Sequence, residues 1–224
     1  MENRELDAIR EVVSRVLDAE KASETRYHAR SEILVHAIGV FARRGLERTT
    51  VQHLLDAAGI SRRTFYKYFR NKLDVLESIY EISVTNMILR FRREVERSQT
   101  VNDVIHNMCH IYFDYHLSLG PIIRLMMEEA RRADSVLAPH RARAYETVAN
   151  VMQNELYRLT GQKLDLLVHK TLIWTLENYS LYLLNESDCT QEKIDHCKTV
   201  MAGISEAILV HGVASPLLQE PRLA

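Results

Sequence analysis

Residues 49–72 read Thr-Thr-Val-Gln-His-Leu-Leu-Asp-Ala-Ala-Gly-Ile-Ser-Arg-Arg-Thr-Phe-Tyr-Lys-Tyr-Phe-Arg-Asn-Lys. Two short helical patterns meet there at a glycine. Leu54, Leu55 and Ala58 give the first a buried side. Thr49 and Gln52 have capping-box spacing, in which the hydroxyl takes the Gln52 N–H and the amide reaches back. Gly59 ends this helix and can take the positive φ of a tight turn. Ser61 is a good N-cap for the second helix, Arg62 to Phe69. Phe65 and Phe69 form its apolar stripe, and Arg62, Arg63, Tyr66, Lys67 and Arg70 lie largely outside that stripe. Two short helices joined this way make a helix-turn-helix unit. In such a unit the first helix braces across the DNA backbone and the second presents its N-terminal residues to base edges. Arg62 and Arg63 stand where the second helix begins, and arginine suits bidentate contact with guanine. Tyr66, Lys67 and Tyr68 can reach phosphates or bases.

Charge points the same way. Residues 28–72 carry nine basic and three acidic side chains, within a chain whose net charge is −1. Residues 1–27 carry five basic and seven acidic, and residues 73–224 fifteen and twenty. A basic block inside an acidic chain fits a local polyanion-binding surface. On charge alone, a chance fluctuation fits as well.

Outside this stretch the chain reads as all-α. Its 224 residues are 46% hydrophobic and 26% charged, which argues against wholesale disorder. Seven glycines and four prolines are too few for the turns of a β protein. Apolar residues recur at three and four, predicting helices over about Arg4–Ala22, Arg30–Arg44, Lys72–Arg97 and Val101–Leu119. Further helices are predicted from Pro121, over Ala138–Leu159, over Leu164–Asn185 and over Gln191–His211. The tail from Ser215, with Pro216 and Pro221, is expected to fray. Thirteen of the 21 residues from Leu164 to Leu184 are apolar or aromatic, spread nearly all round. Such a helix needs cover on more than one side, and a second subunit is the natural cover. The longest run without Asp, Glu, Lys or Arg, Ala207 to Gln219, is shorter than the ~18 residues of a membrane span. The charged start, Met1 to Glu5, is followed by no apolar signal-peptide core. Three cysteines imply no disulfide framework, and a reducing cytoplasm is the simplest compartment.

The 49–72 stretch resembles the signature of the tetracycline-repressor (TetR) family. The matching features are Thr49 and Thr50, Leu54 and Leu55, Ala58 to Ser61, Thr64 to Tyr66, Tyr68 with Phe69, and Lys72. The resemblance covers about residues 30–76. Leu55 departs from it, since the family often has Ala there, and so does the extra N-terminal helix. The resemblance implies a homodimeric, ligand-responsive regulator of transcription that binds double-stranded operator DNA, more often a repressor. Thr50, Thr64, Tyr66, Tyr68 and Lys72 match common phosphate contacts. Arg62, Arg63 and Lys67 match base-reading positions, with Ser61 beside them. The implied organisation is an extension helix over 1–27, a DNA-binding domain over 28–75, and an effector-binding and dimerisation domain over 76–224. In that last domain the final two helices of each subunit would pair.

The effector is expected to be a small hydrophobic or amphipathic molecule. Its candidate pocket residues are Met108, Tyr112, Tyr115, Met126, Tyr145, Met152 and Trp174, and methionine adapts to irregular shapes. Glu128, Glu129 and Glu177 could face a cationic ligand, although surface placement is the expectation for all three. His106, Cys109 and His110, with Asp103 and Asp114, have metal-compatible spacing, but the reading is no metal and no cofactor. Cys189 and Cys197, with His196, are read as plain thiols. The rival readings are a DNA-binding scaffold without effector and a metal or redox sensor. No nucleophile–base pair and no glycine-rich phosphate loop stands out, so no enzyme is expected.

Overall fold

The computed structural model describes residues 24–186, 188–212, 215 and 217–219. The helix expected over Arg4–Ala22 lies outside them. The described residues form helices α1 (Glu24–Arg44), α2 (Val51–Ala58), α3 (Arg62–Tyr68), α4 (Lys72–Val95) and α5 (Val101–Leu119). Then follow α6 (Pro121–Ala130), α7 (Ala138–Thr160), α8 (Leu166–Asn185) and α9 (Gln191–Gly212). The chain divides into two compact units. The first runs to Asn86 and includes Ser118–Arg141; the second comprises Met87–Leu117 and the chain from Ala142.

In the first unit α1 packs on α2, α3 and α6. Its expected face, Ile33, Leu34, Ala37, Ile38 and Phe41, is buried throughout. Leu54 and Leu55 of α2 and Phe65 of α3 complete this core, so the larger Leu55 is accommodated inside. His140 ties α7 to α4, with Nε2 2.7 Å from a Glu77 oxygen and Nδ1 3.1 Å from one of Glu81.

The cap of α2 is shifted by one residue from expectation. Thr50, not Thr49, is the N-cap, and the residue that reaches back is His53. The His53 N–H donates to Thr50 Oγ1 at 3.3 Å, and the Thr50 N–H donates to His53 Nδ1 at 3.2 Å. Thr49 is spent elsewhere: its buried hydroxyl donates to the Gly45 carbonyl at 2.7 Å, closing the turn after α1.

At Gly59 the backbone has φ 62° and ψ 33°, and its N–H reaches the Leu55 carbonyl. A Cβ there would meet nothing within 4 Å, so its cost is purely conformational. At α4, Asn71 Oδ1 accepts the Asp74 N–H at 3.0 Å, and Asp74 accepts the Arg70 N–H at 2.8 Å. The Arg70 guanidinium adds two bonds to the same carboxylate, at 3.0 and 3.2 Å. That side-chain bonding, above all, holds the Asp74 carboxyl below its ordinary value of 3.8.

The second unit has its own core, built around Val95, Ile105, Met108, Phe113, Met152, Leu176 and Met201. The tail is not loose where it is described. The Leu218 carbonyl accepts the Asp165 N–H at 2.9 Å, Gln219 pairs with Leu164, and the Leu218 side chain packs on the core. An otherwise unpaired donor just before α8 and an apolar side chain hold it there.

Two outcomes test these local arguments. Gly59→Ala is expected to lower unfolding free energy by about 1 kcal/mol, the cost of a left-handed non-glycine residue, measured by urea denaturation. An unchanged midpoint would show that the turn relaxes. Asp74 has a depressed folded-state pKa, so its contribution is fully present above the unfolded value and is lost as pH falls through the folded one. The stability gap between wild type and Asp74→Asn should therefore be constant near neutrality and shrink below about pH 4. A gap unchanged in acid would remove the carboxylate from the account.

Candidate nucleic-acid interface

Helix α3 is oriented by its aromatic side. The Phe65 ring lies 5.4 Å from Tyr66 at an 89° angle and 5.9 Å from Phe69. The Arg30 guanidinium covers Phe69 at 5.4 Å from the ring centre. With Phe65 and Phe69 buried, Ser61, Arg62, Arg63, Tyr66 and Lys67 are left exposed. Thr64 and Tyr68 are half-buried, and Thr50 is exposed at the start of α2.

These side chains differ in what holds them. Ser61 caps α3: its Oγ accepts the Thr64 N–H at 3.1 Å and shares a 2.9 Å bond with the Thr64 hydroxyl. Arg62 Nη2 donates to Gln52 Oε1 at 3.0 Å. Arg63 makes no hydrogen bond or ion pair with any described residue, so its whole fork faces solvent. The Lys67 ammonium lies 5.5 Å from the Tyr68 ring centre. Lys72 is turned inward. Its ammonium donates to the carbonyls of Leu46, Thr49 and Glu47, at 2.7, 2.8 and 3.2 Å. The sequence reading missed this clip, and also missed Gln52 as a partner of Arg62. The i,i+4 spacing of Gln52 and Asp56 was the available sign of an organised polar edge.

The candidate effector residues divide. Met108 and Met152 are core residues of the second unit, with Tyr112 and Tyr145 packed against them. Tyr115 is also buried. Met126 is buried in α6, within the first unit. Trp174 is 55% exposed. Glu177, expected at the surface, is only 3% exposed. It falls on the stripe Ile173, Leu176, Glu177, Ser180 and Leu183 that α8 turns inward, and the Tyr145 hydroxyl donates to its carboxylate. Beside it, His116 Nδ1 and Ser180 Oγ are 2.9 Å apart, and the Tyr112 ring centre is 4.0 Å from that of His116. Burial pushes His116 down to about 3 against the opposing pull of Glu177, so its imidazole is neutral at physiological pH. The buried His169 is pushed down to about 4 for the same reason.

His106 and His110 are exposed, with ring centres 6.3 Å apart, while Cys109 points into the core. These three do not converge, and burial pushes the Cys109 thiol up to about 12. Among the described residues no group of three or more His, Cys, Asp or Glu could hold a metal ion. The Cys189 and Cys197 thiols are both pushed up, chiefly by burial, which opposes thiolate reactivity. No described helix is long and apolar enough to cross a membrane.

Comparison with known proteins meets this geometry at the same residues. The family model described as bacterial regulatory proteins, tetR family, matches residues 33–79. The HTH-type transcriptional regulator AcrR of Shigella flexneri is 34% identical over 68 residues, 30% of this chain and 30% of that protein. The HTH-type transcriptional activator FasR of Mycolicibacterium smegmatis is 23% identical over 147 residues, 65% of this chain and 64% of that one. The chain thus spans less than two thirds of either relative. Among solved structures, FadR of Bacillus subtilis in complex with stearoyl-CoA superposes with a TM-score of 0.61 at 18% identity, covering 82% of this chain and 97% of that one. The matched segment contains the two short helices and their aromatic anchor, so over residues 33–79 this chain is similar to the tetR family of bacterial regulatory proteins.

Proposed function

We propose that this chain is a homodimeric, sequence-specific DNA-binding repressor whose hold on its operator is relieved by a small amphipathic effector. The observation that carries the DNA reading is the exposed row Arg62, Arg63 and Lys67 on a helix anchored from behind by Phe65 and Phe69. Arg62 and Arg63 address base edges. Thr50, Thr64, Tyr66 and Tyr68 meet phosphates, and Lys72 adds its charge while its donors hold the fold. Repression by occupancy needs nothing beyond this face.

The dimer reading rests on α8 and α9. Their outer sides carry Leu167, Trp174, Tyr179, Tyr182, Val200 and Ile204, all exposed in the single chain. So many large apolar side chains left exposed on two helices favour an interaction surface. A two-fold partner brings two recognition helices to successive major grooves, ~34–36 Å apart.

The effector reading rests on the second unit, where Met108 and Met152 lie in the core, Tyr145 bonds the buried Glu177, and Tyr112 and Tyr115 adjoin the buried His116. An apolar body would lie among the methionines and tyrosines, and a polar group would address Tyr145 and Glu177. The stearoyl-CoA carried by the structural relative is a molecule with a long apolar part, which supports that class.

Fluorescence anisotropy against the DNA upstream of the chain's own coding sequence, with a scrambled duplex as control, tests the main claim. Selective binding with a steep salt slope is expected. Arg63→Ala and Lys67→Ala should each cost about 1–3 kcal/mol at the selected site and relax its sequence preference, as expected of base-reading side chains. Absence of binding to either duplex at low salt would count against the whole reading. Trp174→Glu should give a monomer by sedimentation and lose operator binding; a dimer of unchanged affinity would move the interface elsewhere.

A further inference from the structure

Arg62 opens α3, and its guanidinium is already held. Its Nη2 donates to Gln52 Oε1 at 3.0 Å, and Gln52 Nε2 donates to Asp56 Oδ1 at 2.7 Å. Gln52 and Asp56 stand one turn apart on the exposed side of α2, opposite the buried Leu54 and Leu55. The order of the three groups is dictated by their chemistry. An ionised carboxylate only accepts, so the Gln52 NH2 must face Asp56, and its oxygen is then left for the arginine. The carboxylate charge also polarises the amide and makes that oxygen a better acceptor. One of five guanidinium donors is spent, and the rest suffice for a two-pronged contact with a base edge.

We propose that Gln52 and Asp56 are positioning residues for DNA readout, holding the Arg62 fork in the orientation from which it addresses its base pair. The inference rests on the DNA-binding reading above. Discrimination at one base pair then depends on two α2 residues that act through Arg62 and not by touching that pair. The relay also accounts for a carboxylate at this end of a cationic surface. Asp56 repels phosphates, so on affinity alone it works against binding. As the anchor of a hydrogen-bond relay it trades general attraction for discrimination. Arg63, which has no such tether, is the internal contrast.

The test is a specificity profile. The full chain selects its preferred site from a random duplex pool, and affinity is then measured for that site and for each single-base-pair variant. Arg62→Ala is expected to flatten the preference at one base pair per half-site, by about tenfold or more. Gln52→Met keeps the side chain's length but removes the acceptor. It should flatten the same base pair by a smaller factor and add nothing further in an Arg62→Ala background. Asp56→Ala should flatten that pair too while tightening binding to random duplex. Asp56→Asn retains an acceptor and should restore part of the preference. If Gln52→Met leaves the Arg62 base pair untouched, or alters a different one, the positioning role is overturned. It is overturned equally if Arg62→Ala changes no base preference. A wild-type chain that selects no sequence removes the DNA-binding reading itself, an outcome distinct from the other two.

Discussion

Three carbonyl oxygens in the turn after α1 converge on one ammonium, that of Lys72. A turn has no ladder to satisfy its carbonyls, and a lysine offers three donors that can fan out to meet them. The Lys72–Thr49 bond spans 23 residues, and α2 and α3 lie within that span. The helix-turn-helix is thus a segment pinned at its base by a single side chain. A cation at the first residue of α4 opposes the helix dipole. Asp74, in the same first turn, answers part of that cost and is itself locked by Arg70 and Asn71. The same charge that completes the fold also contributes to the positive potential of the face above it.

Much of the helix-turn-helix was legible because its determinants are local. Gly59 had to turn, Ser61 had to cap, and Phe65 with Phe69 had to face inward whatever the remainder of the chain did. The capping threonine was not legible to the residue. Thr49 and Thr50 are chemically equal, and the choice is made by the Gly45 carbonyl, which captures the Thr49 hydroxyl once α1 has ended. His53 escaped notice because an imidazole is not the side chain expected to reach back in a capping box. Its Nδ1 nonetheless accepts as an amide oxygen would.

Glu177 shows the opposite error. Charge alone argues for the surface, whereas register argues for the core, since Ile173, Leu176, Ser180 and Leu183 share its stripe. Register prevailed because a helix cannot turn one residue outward without turning the stripe with it. Tyr145 supplies a hydrogen bond that makes the burial tolerable. The described part of the tail departs from the expected fraying, since Leu218 brings an apolar side chain to the core and a carbonyl to the residue before α8.

Helix α8 therefore carries polar groups within a mainly apolar inner stripe and large apolar side chains on its outer side. Its inner stripe includes His169, Glu177 and Ser180, and its outer side includes Leu167, Trp174 and Tyr182, at 68%, 55% and 56% exposure. That is why its sequence looked apolar all round without a clean face. Large apolar side chains outside are a liability to a lone chain and a gain of roughly 1.5–3 kcal/mol each when fully covered by a partner. Polar groups inside do little for stability, since the net worth of a buried hydrogen bond is small beside the cost of leaving one unmade. They are good at distinguishing one ligand from another for the same reason. Both sets stand on one rigid rod, with Trp174 and Glu177 three residues apart. A displacement of that rod carries Glu177 and the outer row together. Under the function proposed above, an effector and a subunit partner would meet opposite sides of that one rod.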